Sequence, residues 1–289
     1  MTQRDHDVQD TVPVSGTGRE DGVGRGRVVR PPAVAGTFYP AEAVALRQAV
    51  KEALEQAIAR GVPAPAPKAV IAPHAGYVES GPVAATAYAR VLPARGRIER
   101  VVLMGPAHRV PLSGVAVSGA DAFATPLGEV AVDAEGRKQV LALSTVAVSD
   151  EVHAEEHSLE VHLPFIQVVL GEVAVLPLAV GQMPAADVAD VLEAVWGGPE
   201  TLVVLSSDLS HYHDHATAAA LDRATAQAIE ACRPGDVGVD RACGVFALRG
   251  LLVAALRRRL EVTTIDLRTS ADTVGSPDSV VGYGSFVLT

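Results

Sequence analysis

Three histidines stand a few residues beyond short apolar runs. His74 follows Lys68–Ala72, His108 follows Arg100–Met104, and His211 follows Thr201–Leu205 by way of Ser206-Ser207-Asp208. Neutral imidazole is the commonest protein metal ligand, and two histidines with one anionic donor make a compact cation site with open positions. Two residues can supply the anion. Asp208 lies three residues before His211. Cys243 falls near the start of a predicted helix, where the helix terminus favours the thiolate that binds metal. His157 precedes another predicted helix and is a candidate for lining the same pocket, and His162 falls inside that helix. Each residue taken singly has a plainer reading, as a hydrogen-bonded structural histidine or, for Cys243, as a small buried hydrophobe. The repetition at three strand ends is what argues for a shared site.

Several other chemistries lack their patterns. His153 and His157 are four apart, but Ala154 stands where a zincin needs glutamate. Ser207, Asp208 and His211 crowd onto one short segment, which rarely yields a triad, and no G-x-S-x-G elbow occurs. No G-x-G-x-x-G or Walker pattern supports a nucleotide cofactor. The histidines of His211-Tyr212-His213-Asp214-His215 read equally well as solvated loop residues.

The elements that must position these side chains follow from apolar patterning. Of 289 residues, 48% are hydrophobic and 4% aromatic, so Val, Leu and Ala must fill the core, as suits helices packed on a sheet. Beyond the polar first residues Lys68, Arg100 and Thr201, the runs at Lys68–Ala72, Arg100–Met104, Val173–Val180 and Thr201–Leu205 are apolar and predict strands buried on both faces. Helices are predicted over Ala43–Arg60, Ser80–Val91, Ala134–Leu143, Ser158–Leu170, Ala185–Val195, His215–Ala231 and Cys243–Leu260, with closing strands over Glu261–Asp266 and Ser279–Leu288. This alternation predicts an α/β fold with a mostly parallel sheet covered on both faces. Gly282 and Gly284 predict an edge position for the last strand. Residues 1–29 lack any period and are expected to be a disordered tail, leaving 30–289 as one domain.

The formal net charge of −10 offers no footprint for nucleic acid, and Arg257-Arg258-Arg259 reads as a solvated helix end. Two cysteines, Cys232 and Cys243, make no disulfide framework and suit a reducing compartment, with Cys232 read as structural. No long apolar stretch suggests a membrane span, and the polar N-terminus does not read as a signal peptide, so a cytoplasmic location is expected.

The segments Arg30-Pro31-Pro32-Ala33-Val34-Ala35-Gly36-Thr37-Phe38-Tyr39-Pro40, Ala72-Pro73-His74-Ala75-Gly76-Tyr77, Gly105-Pro106-Ala107-His108, Glu156-His157-Ser158-Leu159-Glu160-Val161-His162-Leu163-Pro164 and Ser206-Ser207-Asp208-Leu209-Ser210-His211 resemble the Memo family, in family order, from about Arg30 to the C-terminus. The resemblance implies a three-layer α/β/α fold shared with class III extradiol dioxygenases, which are non-haem iron enzymes. It implies His74, His108 and Cys243 as metal ligands, with Asp208 and His211 lining the pocket in acid–base roles. Cys243 then stands where the dioxygenases carry glutamate, so iron, copper or zinc are all candidate metals. The function implied is a metal-binding protein with an iron-type or copper centre and dioxygenase-like oxidoreductase activity. The alternative is a non-enzymatic adaptor of the AmmeMemoRadiSam system that keeps the pocket; a zinc hydrolase is a third reading. Prokaryotic members are known as protein B of that system, which implies Ammecr-type and radical-SAM proteins as partners.

Overall fold

The computed structural model describes residues 26–61 and 64–289. Strand β1 (Val29–Arg30), helix α1 (Ala43–Arg60) and strand β2 (Ala69–Ala72) come first, then α2 (Gly81–Val91) and β3 (Arg100–Pro106). Short elements follow: β4 (Val115–Val117), β5 (Ala122–Thr125), β6 (Gly128–Ala131), α3 (Ala134–Val140), β7 (Val146–Val148) and α4 (Asp150–Ala154). The chain continues through α5 (Leu163–Leu170), β8 (Ala174–Val180), α6 (Ala185–Ala194), β9 (Thr201–Ser206) and β10 (His211–His213). It closes with α7 (His215–Glu230), α8 (Val245–Arg258), β11 (Val262–Thr269) and β12 (Val280–Leu288).

Nine strands form one sheet in the order β10-β12-β2-β9-β3-β8-β4-β7, with β11 also paired to β12. The central four, β2, β9, β3 and β8, are mutually parallel, while β12 and β4 flank them antiparallel. Successive side chains of a strand point to opposite faces, and here both faces are apolar. Ile71, Met104 and Leu205 join one core with Val188, Leu192, Ile229, Leu248 and Leu252 of α6, α7 and α8. Their neighbours Val70, Leu103 and Val204 join the other, with Leu46, Val50, Tyr88 and Phe165 of α1, α2 and α5. Two helical layers therefore cover a mixed, mostly parallel sheet, the three-layer α/β/α arrangement expected from the apolar runs.

The structure departs from the sequence reading in several places, among them the short elements β4, β7, α4 and β10, for which the sequence predicts nothing. A separate three-stranded sheet, β1-β5-β6, was not anticipated. The helix expected over Ser158–Leu170 begins as a 3-10 turn at Glu160–His162 and becomes α-helical only at Leu163, beside Pro164. Strand β12 is not an edge: β11 pairs along one side, and β2 and β10 along the other. Its Gly282 marks a close approach instead. A Cβ there would lie 1.9 Å from Asp222 Oδ2, and the buried Asp222 carboxylate accepts a hydrogen bond from the Ser210 N–H at 3.0 Å. Arg257 and Arg258 end α8 in ion pairs with Asp190 and Glu193 of α6. The expected tail lies outside the described residues up to residue 25, and Val29 already pairs with Ala122 in β1. No helix among the described residues is long and apolar enough to cross a membrane.

A buried ion pair ties the N-terminal segment to the rest. The Arg30 guanidinium meets the Glu160 carboxylate and also donates to the carbonyls of His153 at 2.8 Å and Glu156 at 2.8 Å. Glu160 in turn accepts from the Ala33 N–H at 2.8 Å, the Val34 N–H at 3.0 Å and the Tyr39 hydroxyl at 2.5 Å. Burial, then the bond to Glu160, raises the Tyr39 phenol and keeps it a donor. Removing one member of such a pair strands the other charge, at a cost of about 3–5 kcal/mol. Arg30→Met should therefore lower the urea unfolding free energy by about that amount; a loss under about 1 kcal/mol, the ceiling for an exposed pair, would contradict the assignment.

Two buried histidines set a pH dependence. Burial lowers His153 to about 4 and His162 to about 3. Unfolded histidines titrate near 6.5, so below that pH the unfolded chain binds more protons than the folded one. The stability these neutral rings contribute is full above pH 6.5 and is lost as the pH falls toward 4, by up to about 1.4 kcal/mol per pH unit for each. Denaturant titrations between pH 7 and 4 should show the decline, and His162→Phe should flatten it.

Candidate metal centre

The sheet order places the site. Strands β2, β9 and β3 are neighbours, with Ala72 opposite Ser206 and Leu205 opposite Met104, so their carboxyl ends finish level. Loops beyond such ends are where open α/β sheets bind ligands. His74 comes from the loop after β2, Asp208 from the loop after β9 and His108 from the loop after β3. His157 enters from the turn between α4 and α5. The nitrogens that His74, His108 and His157 offer lie within 4.8 Å of one another, so this group could hold a metal ion. Ring centroids are 5.1 Å apart for His74 and His108, 5.4 Å for His74 and His157, and 4.7 Å for His108 and His157.

The partners behind two of these rings fix their tautomers. Ser206 Oγ donates its single proton to the Ser158 carbonyl at 2.7 Å, so at 2.6 Å from His74 Nδ1 it must accept. His74 therefore carries its proton on Nδ1 and presents an Nε2 lone pair. His108 Nδ1 lies 3.0 Å from Glu156 Oε1, and the same carboxylate accepts from the His108 N–H at 2.5 Å and the Ser158 N–H at 2.8 Å. Burial acts to raise Glu156, but these bonds prevail and hold it down at about 2, so it stays an acceptor. His108 thus also presents Nε2. A carboxylate behind a ligating histidine is the usual device for orienting the ring and raising its basicity. His157 Nδ1 is 3.4 Å from Glu156 Oε1, buried and without a hydrogen-bond partner among the described residues, while Phe38 packs 4.7 Å from its ring.

Burial, then the neighbouring histidines, lowers His74 well below its ordinary value, and burial lowers His157 to about 4. Both rings are neutral near pH 7, the form that ligates metal.

Cys243 lies just before α8. Its Sγ is 3.2 Å from His74 Nε2 and accepts the Asp208 N–H at 3.2 Å. Gly244 makes this possible, since a Cβ there would lie 2.7 Å from the Ser206 carbonyl oxygen. Burial, then the nearby Asp208 carboxylate, pushes the Cys243 thiol up. Asp208 Oδ1 accepts the His74 N–H at 2.7 Å, its Oδ2 stands 3.9 Å from His74 Nε2, and burial raises it to about 7. His211 occupies β10, half-buried, and is not part of the group of three.

His74, His108, Asp208 and Cys243 lie in one place, as the sequence suggests, and His157, expected to line the pocket, lies within ligand reach of His74 and His108, where His211 does not. Glu156 and Ser206 were given no role. The available signal for Glu156 was its place directly before His157, a carboxylate adjacent to a candidate ligand.

Fold and site define an α/β/α protein in which two strand-end histidines and a third from a turn could hold a metal ion. The chain belongs to the Memo family, matching the Memo-like protein family over residues 30–287. It is 36% identical over 276 residues to a MEMO1 family protein of Methanothermobacter thermautotrophicus, covering 89% of this chain and 99% of that one. A MEMO1 family protein of Methanopyrus kandleri is 36% identical over 280 residues, covering 90% and 98%. One from Aquifex aeolicus is 33% identical over 275 residues, covering 88% and 97%.

Losing a carboxylate behind a ligand typically weakens metal binding about 10–100-fold. Glu156→Gln should do so in a Co(II) titration followed by its visible absorption. Unchanged affinity would remove Glu156 from the site's support.

Proposed function

We propose that this Memo family chain is a metalloprotein with an iron-type centre, copper being the second candidate, and that it acts as an oxidoreductase of the dioxygenase kind. The observation that carries the reading is the convergence of the His74, His108 and His157 nitrogens, with Cys243 Sγ 3.2 Å from His74 Nε2. His74 and His108 would hold the metal through Nε2, with Cys243 as the anionic ligand and His157 beside it.

The donor set fits a cation. Burial disfavours the charged forms of Cys243 and Asp208 alike. A bound cation is the largest charge in such a site and reverses that preference, deprotonating a coordinating thiol outright. Thiolate with imidazole suits iron, copper or zinc, and iron or copper would supply one-electron redox chemistry at an open position. Asp208 Oδ2 faces this space and would take or return a proton there, with His211 as a second acid–base group. The class III extradiol dioxygenases are the nearest chemical analogy, with Cys243 in place of their glutamate. Thiolate is oxidisable where glutamate is not, so turnover should depend on reducing conditions. A cytoplasmic location would provide them, and both cysteines are free thiols in the structure. Association with Ammecr-type and radical-SAM proteins completes the proposal.

Elemental analysis of protein purified without oxygen tests the reading. Near-stoichiometric iron or copper is expected in the wild type, lost in His74→Ala and Cys243→Ser, with His157→Ala deciding whether that ring ligates. Wild type that is metal-free and takes up neither Fe(II), Cu(I) nor Zn(II) would overturn it and leave the adaptor reading. Stoichiometric zinc without oxygen consumption would support a metal centre and overturn the oxidoreductase assignment.

A further inference from the structure

A second cavity lies far from the histidines. Helix α2 starts at the turn that carries His74 and runs for 11 residues. At about 1.5 Å per residue its last turn is about 15 Å further on. There a cavity of about 330 Å³ opens between the carboxyl ends of α1 and α2 and strand β11. This volume is at the lower end of small-molecule sites, about 300–1,000 Å³, which are mostly apolar with a few polar groups that orient the ligand.

The lining follows that pattern. Ala57 and Ile58 come from α1, Ala89 from α2 and Ile265 from β11, with Thr86 at one side. The charged groups are Arg90, Arg268 and Asp266. Arg268 and Asp266 are bound to each other, by Nε–H to Oδ1 at 2.9 Å and by a second contact to Oδ2. Arg90 is different. It is half-buried, and its Nε–H is buried with no hydrogen-bond partner among the described residues. Arginine stays charged at any physiological pH. With Arg268 and Asp266 cancelling, the cavity carries one positive charge that no acidic group among the described residues pairs, beside an apolar wall. A buried donor without a partner is costly, and a guanidinium is matched best by a carboxylate that takes two parallel hydrogen bonds.

We infer that this cavity binds a small amphipathic carboxylate, its aliphatic body against Ala57, Ala89 and Ile265 and its carboxylate on Arg90. The site is independent of the metal centre, and its occupancy is read by binding alone.

Calorimetric titration of the full chain with octanoate, octanol, octylammonium and acetate tests it. Octanoate is expected to bind, with octanol and octylammonium each at least about tenfold weaker, the loss expected when a charged hydrogen bond is missing, and acetate at least about tenfold weaker because it has no chain to bury against the apolar wall. Arg90→Gln should weaken octanoate about tenfold or more and leave octanol unchanged, and Ala89→Phe, which fills the space, should abolish both. Both variants should keep wild-type circular dichroism and metal content. The inference is overturned if octanoate does not bind at millimolar concentration, if octanol binds as tightly as octanoate, or if Arg90→Gln binds octanoate as the wild type does. Should Arg90→Gln fail to fold, the ranking of the four probes on the wild type decides.

Discussion

The site depends on the buried contact between Arg30 and Glu160. Two charges withdrawn from water are tolerated only where their remaining hydrogen-bonding capacity is met. Here it is met from both sides, by the backbone carbonyls of His153, Ala154 and Glu156 around the guanidinium and by two backbone amides and a phenol around the carboxylate. The consequence reaches the chemistry through one short segment. Arg30 fixes the backbone carbonyl of Glu156, the Glu156 carboxylate fixes His108, and the same N-terminal stretch lays Phe38 against His157. A polar cluster without catalytic atoms thereby aligns two of the three rings.

The third ring is aligned from the sheet itself. His74 is held through Ser206, the last residue of β9, and through the carboxylate of Asp208 just beyond it. The central position of β9 matters. It lies between the strands that deliver His74 and His108, so its outgoing loop fills the gap between them. The assembled pocket is poor in charge for its number of titratable groups: burial keeps His74 and His157 neutral and raises Asp208 and Cys243, while Glu156 stays ionised behind His108. That balance favours an incoming cation over an anion.

Most of the fold was legible because the central strands are apolar on both faces, a pattern that survives without any partner being known. Helix α1 was legible to its ends, since its apolar spacing is regular and Gly61 stops it. The stretch from β4 to α4 was not. Its strands are three or four residues long, and β6, Gly128–Ala131, is exposed at three of its four positions. Short strands carry too little period to be read. The glycines of β12 misled for a physical reason: glycine weakens a strand end-on in the same way that it admits a neighbouring carboxylate, and only the packing of α7 distinguishes the two. At the site, strand-end logic named His74, His108 and His211, and the structure brings the first two within ligand reach of each other while β10 carries His211 outside the group of three. His157 and Glu156 sit on a turn rather than a strand end: the sequence placed His157 at the pocket wall, but its reach to His74 and His108, and the part of Glu156 behind His108, required the tertiary structure.

Arg30 and Glu160 are 130 residues apart in sequence, and Cys243 is 169 residues from His74. Contacts of such separation form late, after the loop-closure entropy has been paid. No shorter piece of the chain contains the pocket. A ligand of the histidine group would therefore recognise only the completed fold, and its binding energy would stabilise the whole sheet rather than one loop. If that ligand is a metal, a shortage of it would be felt first in the lifetime of the protein, ahead of any change in what it does.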